Sequence, residues 1–169
     1  MPSTFAVFLR RRFSTSRASI HTLASTLFIS LAGLAQMPAH ADNNYFGIHG
    51  PSYHDGGDFN NHNYGLYFVH KGITGGFYDN SLNRNTFYLG YAWEWDLPVN
   101  PVVDSVSLMG SVATGYYTQE MPYEYAPMGA LSFKHGFGSQ QGLRLSYLPV
   151  YGKSPASYVL HLSYEYTLK

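Results

Sequence analysis

The chain has 169 residues, with ten basic and ten acidic side chains, eight histidines and no cysteine. Four of the basic residues and none of the acidic ones lie in residues 1–41, so the other 128 residues carry a net charge of −4. That charge argues against a nucleic-acid partner, and the lack of cysteine excludes a fold held by disulfides. Sixteen Tyr and eleven Phe fit a barrel with aromatic girdles at two membrane interfaces.

The amino terminus has the pattern of a secretory signal peptide. Arginines at positions 10, 11, 12 and 17 precede an apolar stretch at 23–34 and a small-x-small cleavage motif that ends at Ala41. The apolar stretch is shorter than a transmembrane helix needs, and serine and threonine residues interrupt it. We therefore predict a signal peptide at 1–41 and one exported domain at 42–169.

Turn-forming residues divide the exported part into eight extended runs, in which apolar residues alternate with polar or small ones. The predicted strands are 44–51, 64–70, 73–80, 86–96, 105–116, 127–135, 142–149 and 157–168. An even number of such strands predicts an all-β fold, an eight-stranded antiparallel outer-membrane β-barrel, with the longer connections at its outer rim. A soluble periplasmic β-sandwich shows the same alternation and is the alternative fold.

Strand direction divides the inward-facing residues into two groups. The charged ones fall near the periplasmic end, where two acids and two bases would neutralise one another: Glu94, Lys134, Arg144 and Glu165. The small ones fall in the middle or outer half: Gly47, Gly65, Gly76, Gly90, Ala113 and Ala130. Since side chains normally fill a barrel of this size, the missing ones predict a narrow cavity that opens outward. Alternatively, the glycines make room for Tyr67, Tyr78 and Tyr88.

Two prolines mark one place in the predicted wall. Pro127 opens the sixth strand and Pro149 closes the seventh, so both lie at the outer rim on neighbouring strands. Neither residue can donate a backbone hydrogen bond to the strand ladder. We therefore predict an open ladder there, which would act as a lateral gate for a lipid tail.

Two short segments resemble the signature of the outer-membrane lipid A palmitoyltransferase family. These are residues 77–84 (Phe-Tyr-Asp-Asn-Ser-Leu-Asn-Arg) and 90–94 (Gly-Tyr-Ala-Trp-Glu), which are similar to the family's serine-containing rim loop and the strand that follows it. Residues 146–149, and Ile48-His49 with Asp55, are similar to two further family segments. The resemblance implies transfer of a palmitoyl-type acyl chain from a phospholipid donor to lipid A, in a barrel whose interior measures hydrocarbon.

The resemblance also implies site residues. His49 would be the base, Ser81 the hydroxyl group of the mechanism, and Asn80 the orienting neighbour, where the family has aspartate. His54 is an alternative base. The substrate cavity would be lined by Gly76, Tyr78, Gly90, Ala92, Met109 and Ser111. Ala92 replaces the glycine of the family's cavity floor, and its methyl group predicts a slightly shorter acyl chain.

No metal site or cofactor is expected, because the acidic residues at 55 and 58 match no standard calcium loop. The expected partners are the phospholipid donor and the lipid A acceptor, the expected location is the bacterial outer membrane, and the expected state is a monomer. The alternative function is a non-catalytic barrel of the same architecture, either structural or lipid-binding.

Overall fold

The structure, a computed structural model, describes residues 44–97, 100–116, 124–152 and 154–168. Eight strands form a closed antiparallel barrel, in which β8 pairs with β1. The strands are β1 (Asn44–His54), β2 (His62–His70), β3 (Ile73–Asp79), β4 (Asn85–Asp96), β5 (Ser105–Thr114), β6 (Tyr125–Phe137), β7 (Gln141–Pro149) and β8 (Tyr158–Thr167). The predicted barrel is confirmed and the sandwich alternative is wrong. The predicted signal peptide lies outside the described residues.

The connections form the two ends of the barrel. We call one end the loop rim, at which β1, β3, β5 and β7 end and β2, β4, β6 and β8 begin. We call the other end the turn rim, at which β2, β4 and β6 end and β3, β5 and β7 begin. The described residues contain no helix that is long and apolar enough to cross a membrane.

The outer face of the barrel is apolar on every strand. Exposed large side chains follow the predicted parity: Phe46, Ile48, Leu66, Phe68, Ile73, Phe77, Phe87, Leu89, Trp93, Leu108, Val112, Phe133, Leu143, Leu145, Tyr147, Leu162 and Tyr166. Val106, with the same parity, is only 4% exposed, and its cross-strand neighbours are Trp95 and Phe133. A continuous apolar belt is far larger than the patches of soluble monomers. An eight-stranded barrel with this belt is compatible with an outer-membrane location.

The predicted group of charges, which we call the floor cluster, lies near the turn rim. Arg144 bonds to both acids, with its Nη2 atom 3.0 Å from Glu94 Oε1 and its Nε atom bonded to Glu165 Oε1. Lys134 Nζ lies 3.3 Å from Glu165 Oε2. The guanidinium also donates to Ser107 Oγ at 2.6 Å. Buried charges are tolerated when they are paired and hydrogen-bonded in this way.

Tyrosine side chains fill the middle of the barrel. A methyl group on Gly47 would overlap the ring of Tyr67, whereas one on Gly65 or on Gly76 would first meet the backbone of the neighbouring strand, at the carbonyl oxygen of Phe77 or of Leu66. The side chain of Tyr67 therefore occupies the space beside Gly47, whereas at Gly65 and Gly76 the missing side chain allows two strands to approach each other closely.

The other predicted cavity residues lie in the same packed region. A side chain on Gly90 would overlap the neighbouring strand at Ser111. Tyr78 and Met109 pack against the core, and Ala92 is buried. The interior at this level is therefore a packed core of large and small side chains.

Candidate functional site

The structure does not join the predicted base and the predicted hydroxyl group. His49 faces inward on β1, and both of its ring nitrogens have partners: Nδ1 lies 2.9 Å from His161 Nε2 and Nε2 lies 3.2 Å from the hydroxyl of Tyr88. Ser81 lies in the β3–β4 connection, where its carbonyl oxygen accepts a hydrogen bond from the backbone N–H of Asn60. Within the described residues, no hydrogen bond links the Ser81 side chain to His49.

Asn80 builds its own loop and does not orient a histidine. Its side chain is fully buried, and Oδ1 accepts hydrogen bonds from the backbone N–H groups of Leu82 and Arg84. Its Nδ2 donates to Thr86 Oγ1 at 3.0 Å and to the carbonyl oxygen of Gly115 at 2.9 Å. Both the oxygen and the nitrogen of the side-chain amide therefore have hydrogen-bond partners. An aspartate could not make the two donated bonds, which gives a physical reason for asparagine at this position.

The remaining sequence candidates lie in other contacts. His54 is the last residue of β1, and its Nδ1 lies 2.7 Å from Oδ1 of Asn61 in the β1–β2 connection. Asp55 Oδ1 accepts hydrogen bonds from the backbone N–H groups of Ser157 and Tyr158, which ties the β1–β2 connection to the β7–β8 connection. The amide of Tyr158, followed by that of Ser157, holds the pKa of Asp55 below its ordinary value. Neither residue contacts His49.

A chain of hydrogen bonds, which we call the histidine chain, runs through the barrel below the loop rim. Ser52 Oγ lies 2.8 Å from His161 Nδ1, and His161 Nε2 lies 2.9 Å from His49 Nδ1. The other nitrogen of His49 reaches Tyr88, as described above. A serine hydroxyl bonded to a ring nitrogen is the arrangement in which histidine can take the hydroxyl proton.

Sequence reasoning missed Ser52 because the predicted first strand ended at residue 51, whereas β1 continues to His54 and a β-bulge turns the side chain of Ser52 inward. His49 pairs with Ser163 and Ser52 pairs with His161, so three steps on β1 match two steps on β8. Strict alternation from His49 would place Ser52 on the outer face, whereas the extra residue turns it inward.

The Gly50-Pro51 pair was the available sequence signal for this bulge. A Cβ on Gly50 would lie 2.8 Å from the carbonyl oxygen of Leu162, so the close approach of the two strands needs glycine here. Pro51 has no N–H to donate to the ladder. The two residues together favour an irregular strand at this position over a continued alternation.

Aromatic rings hold the histidine chain in place. The ring centroid of His49 lies 4.7 Å from that of Tyr67, 5.1 Å from that of Tyr78 and 5.8 Å from that of Tyr88. The ring of His161 lies 5.1 Å from it on another side. Packing on several sides leaves His49 little freedom to rotate away from its partners.

The ladder between β6 and β7 stops before the loop rim. Paired residues run from Phe137 with Gln141 to Leu131 with Tyr147. Beyond that pair, residues 125–130 of β6 pair only with β5, and residues 148–149 of β7 pair only with β8. We call this opening the rim gap. Pro127 and Pro149 lie on its two sides, so the predicted open ladder is confirmed.

Two other ladders also stop short, but side chains bridge them. Where the β2–β3 ladder ends, Asn63 Nδ2 donates to the carbonyl oxygen of Asp79 at 2.7 Å. Where the β4–β5 ladder ends, Thr86 and the backbone of Phe87 bond to Thr114. In the described part of the chain no hydrogen bond crosses the rim gap. Of these three shortened ladders, only the one between β6 and β7 therefore has no bridging hydrogen bond among the described residues.

The rim gap and the histidine chain are close in the strand order. On β7, Ser146 pairs with His161 of β8, and Leu148 pairs with Val159. Ser52 lies on the next strand, β1. Two strand spacings, about 10 Å, therefore separate the β7 side of the gap from the strand that carries Ser52.

The fold defines a class of protein, a small closed antiparallel β-barrel with an apolar outer belt. No model of a known protein family matches the chain, and no curated protein shows significant sequence similarity to it.

Proposed function

We propose that this protein is an outer-membrane acyltransferase, which takes an acyl chain from a phospholipid and transfers it to lipid A. The observation that carries the proposal is the rim gap, an unbridged opening in a wall whose outer face is apolar. The secretory pattern of residues 1–41 supports export. The resemblance to lipid A palmitoyltransferases supports the choice of donor and acceptor.

An open ladder in a membrane wall needs a compensating partner. Backbone polar groups that face hydrocarbon without a hydrogen bond cost several kcal/mol each. The rim gap lies at the end of two strands, at the level where the ester and head groups of lipids would meet the wall. Lipid ester carbonyls can accept hydrogen bonds from the free N–H groups there. The gap therefore suits a phospholipid that enters sideways with its ester bond at the loop rim.

The packed interior limits how far a donor acyl chain can enter the barrel. The ring of Tyr67 fills the space beside Gly47, in the middle of the barrel. A donor acyl chain would therefore present its carbonyl group near the rim, while much of its tail stays in the gap and the bilayer. This geometry suits a reaction at the loop rim, where an acceptor in the outer leaflet can reach the same carbonyl.

A second candidate is a non-catalytic lipid-binding barrel. The observation that favours it is the separation of the predicted catalytic groups, since Asn80 is committed to its loop and Ser81 has no bond to His49. Such a protein would hold a lipid in the rim gap without breaking its ester bond.

Mass spectrometry of lipid A separates the two candidates. Cells that express the protein should contain lipid A with one additional acyl chain, and cells with the empty vector should not. Heat-modifiable migration in gels verifies that the protein has folded as a barrel. A folded protein that leaves lipid A unchanged would favour the non-catalytic candidate.

A reversible cross-link tests the gap as the route. The chain has no cysteine, so Ala130→Cys with Leu148→Cys gives a unique pair across the gap, which a short bis-methanethiosulfonate reagent can join. The matched control is Ser132→Cys with Ser146→Cys, the inward pair within the closed part of the same ladder. We expect the joined gap pair to lose acyl transfer and to recover it in reductant, and the joined control pair to keep it. Transfer through a joined gap would contradict this route.

A further inference from the structure

Within the described residues, Ser52 is the only serine whose hydroxyl group is hydrogen-bonded to a histidine. From this contact we propose that Ser52 is the nucleophile of acyl transfer, with His161 as its general base and His49 as the residue that positions His161. The inference rests on the proposed acyl transfer and names the groups that perform it. It replaces Ser81, the hydroxyl group that the family resemblance implied.

The hydrogen-bond pattern allows Ser52 to be activated. A neutral imidazole has one N–H donor and one bare nitrogen, so the bond between the two rings leaves only two consistent arrangements. In the first, Ser52 donates to His161 and His161 donates to His49. The remaining N–H of His49 then donates to Tyr88. In the second, every bond is reversed. The first arrangement presents a bare nitrogen to the hydroxyl, as base catalysis requires.

The second ring has a specific effect on the first. When His161 takes a proton at Nδ1, both of its nitrogens become donors, and Nε2 already points at His49 Nδ1 at 2.9 Å. The bare nitrogen of His49 therefore accepts a bond from the cation that forms, and it fixes the ring orientation of His161. Aspartate has this role in the familiar serine triad, and here a neutral imidazole would take it.

Ser52 also has the right position. It is half-buried at the loop rim, on the strand next to the one that carries His161. A lipid ester that enters the rim gap passes β7 and β8 before it reaches this hydroxyl group. Ser81, in contrast, lies on the connection after β3, and its side chain has no histidine partner in the described residues.

The proposed reaction is balanced without a co-reactant. Ser52 Oγ attacks the ester carbonyl carbon of the phospholipid while its proton passes to His161 Nδ1. The ester C–O bond breaks, and the lysophospholipid alkoxide takes the proton from His161. A lipid A hydroxyl group then attacks the acyl ester on Ser52 and gives its proton to His161, and the Ser52 oxygen leaves with that proton.

A covalent probe tests the nucleophile directly. A long-chain alkyl fluorophosphonate reacts with an activated serine, and peptide mass spectrometry then locates the adduct. We expect the wild-type protein to be labelled on the peptide that contains Ser52. Ser52→Ala should lose the label, whereas Ser81→Ala should keep it. His161→Asn keeps a polar atom near Ser52 but no base, so its labelling rate should fall by roughly 10²–10⁴-fold.

His49 needs a test that separates positioning from packing. His49→Asn retains an acceptor near the Nδ1 position, whereas His49→Leu does not. We expect both variants to fold as heat-modifiable barrels, and the asparagine variant to label faster than the leucine variant. Equal labelling rates in the two folded variants would overturn the positioning role.

Different results would contradict Ser52 as the nucleophile and the transfer of an acyl chain to lipid A. Label on Ser81 instead of Ser52, or no label on Ser52 in folded wild-type protein, would overturn the inference. Unchanged lipid A acylation by Ser52→Ala would also overturn it, while the acyltransferase function would stand. Label on Ser52 without any acylated lipid A would support the nucleophile and refute the transfer to lipid A.

Discussion

Removal of Arg144 is the sharpest test of the barrel interior. The Arg144→Met substitution keeps an unbranched chain of similar length and removes the one cation that contacts both acids of the floor cluster. Glu94 is 3% exposed and Glu165 is fully buried, so neither carboxylate can recover its hydration in the folded state. Lys134 remains beside Glu165 only.

The magnitude follows from these contacts. Removal of one partner from a buried ion pair costs about 3–5 kcal/mol, because an uncompensated charge remains. We expect the free energy of unfolding to fall by an amount in this range, since two acids lose their main partner. Lys134→Met is the control: this cation is 16% exposed and makes one ion pair. Its loss should cost less than that of Arg144, because Glu165 keeps its bond to the guanidinium.

Urea unfolding of the protein in phospholipid vesicles measures the difference, with the fluorescence of the two tryptophans as the signal. A double-mutant cycle adds Glu165→Gln to Arg144→Met, and the combined loss should be smaller than the sum of the single losses by about 1–3 kcal/mol. An Arg144→Met protein within about 1 kcal/mol of wild type would refute the view that this cation stabilises the interior.

Three further substitutions test other parts of the structure. Gly47→Ala should lower the free energy of unfolding by about 1–3 kcal/mol in the same assay, because its methyl group would overlap a tyrosine ring. Gly110→Ala is the contrast, since open space surrounds that position, and a loss of similar size there would contradict the packing argument. Asn80→Asp should cost about 1–3 kcal/mol, since a carboxylate would face two acceptor oxygens, and unchanged stability would mean that the loop does not need the amide. The pKa of Asp55 is lowered on folding, so its hydrogen bonds to the amides of Ser157 and Tyr158 should persist above the ordinary aspartate pKa of about 3.9 and be lost as the pH falls through the folded value. Hydrogen exchange measures the protection of these two amides, and protection that is independent of pH would contradict this prediction.

The sequence predicted those features that depend on alternation and strand direction. All eight strands lie within three residues of their predicted bounds. Parity brought Arg144 and Glu165 to one level because their positions on neighbouring strands are fixed by the ladder. The rim gap followed from the chemistry of proline alone. These features are local or follow from register, so they need no knowledge of side-chain packing.

The interior and the site depend on contacts that alternation does not encode. The use of Asn80 becomes clear only when Gly115, far along the chain, is brought beside it. The tyrosine that fills the space at Gly47 starts from another strand, so its reach depends on the curvature of the barrel. Ser52 was missed because the predicted strand ended one residue before it, and because one bulge reverses the parity of every residue that follows it on β1.

The stoichiometry of the lipid reaction tests the central claim most directly. Purified protein, reconstituted in phospholipid vesicles that contain lipid A, is incubated and the lipids are quantified by mass spectrometry. We expect one lysophospholipid for each acyl chain that appears on lipid A, and neither product with Ser52→Ala. Lysophospholipid with free fatty acid but no acylated lipid A, or no lipid product from a folded barrel, would contradict the proposed acyl transfer.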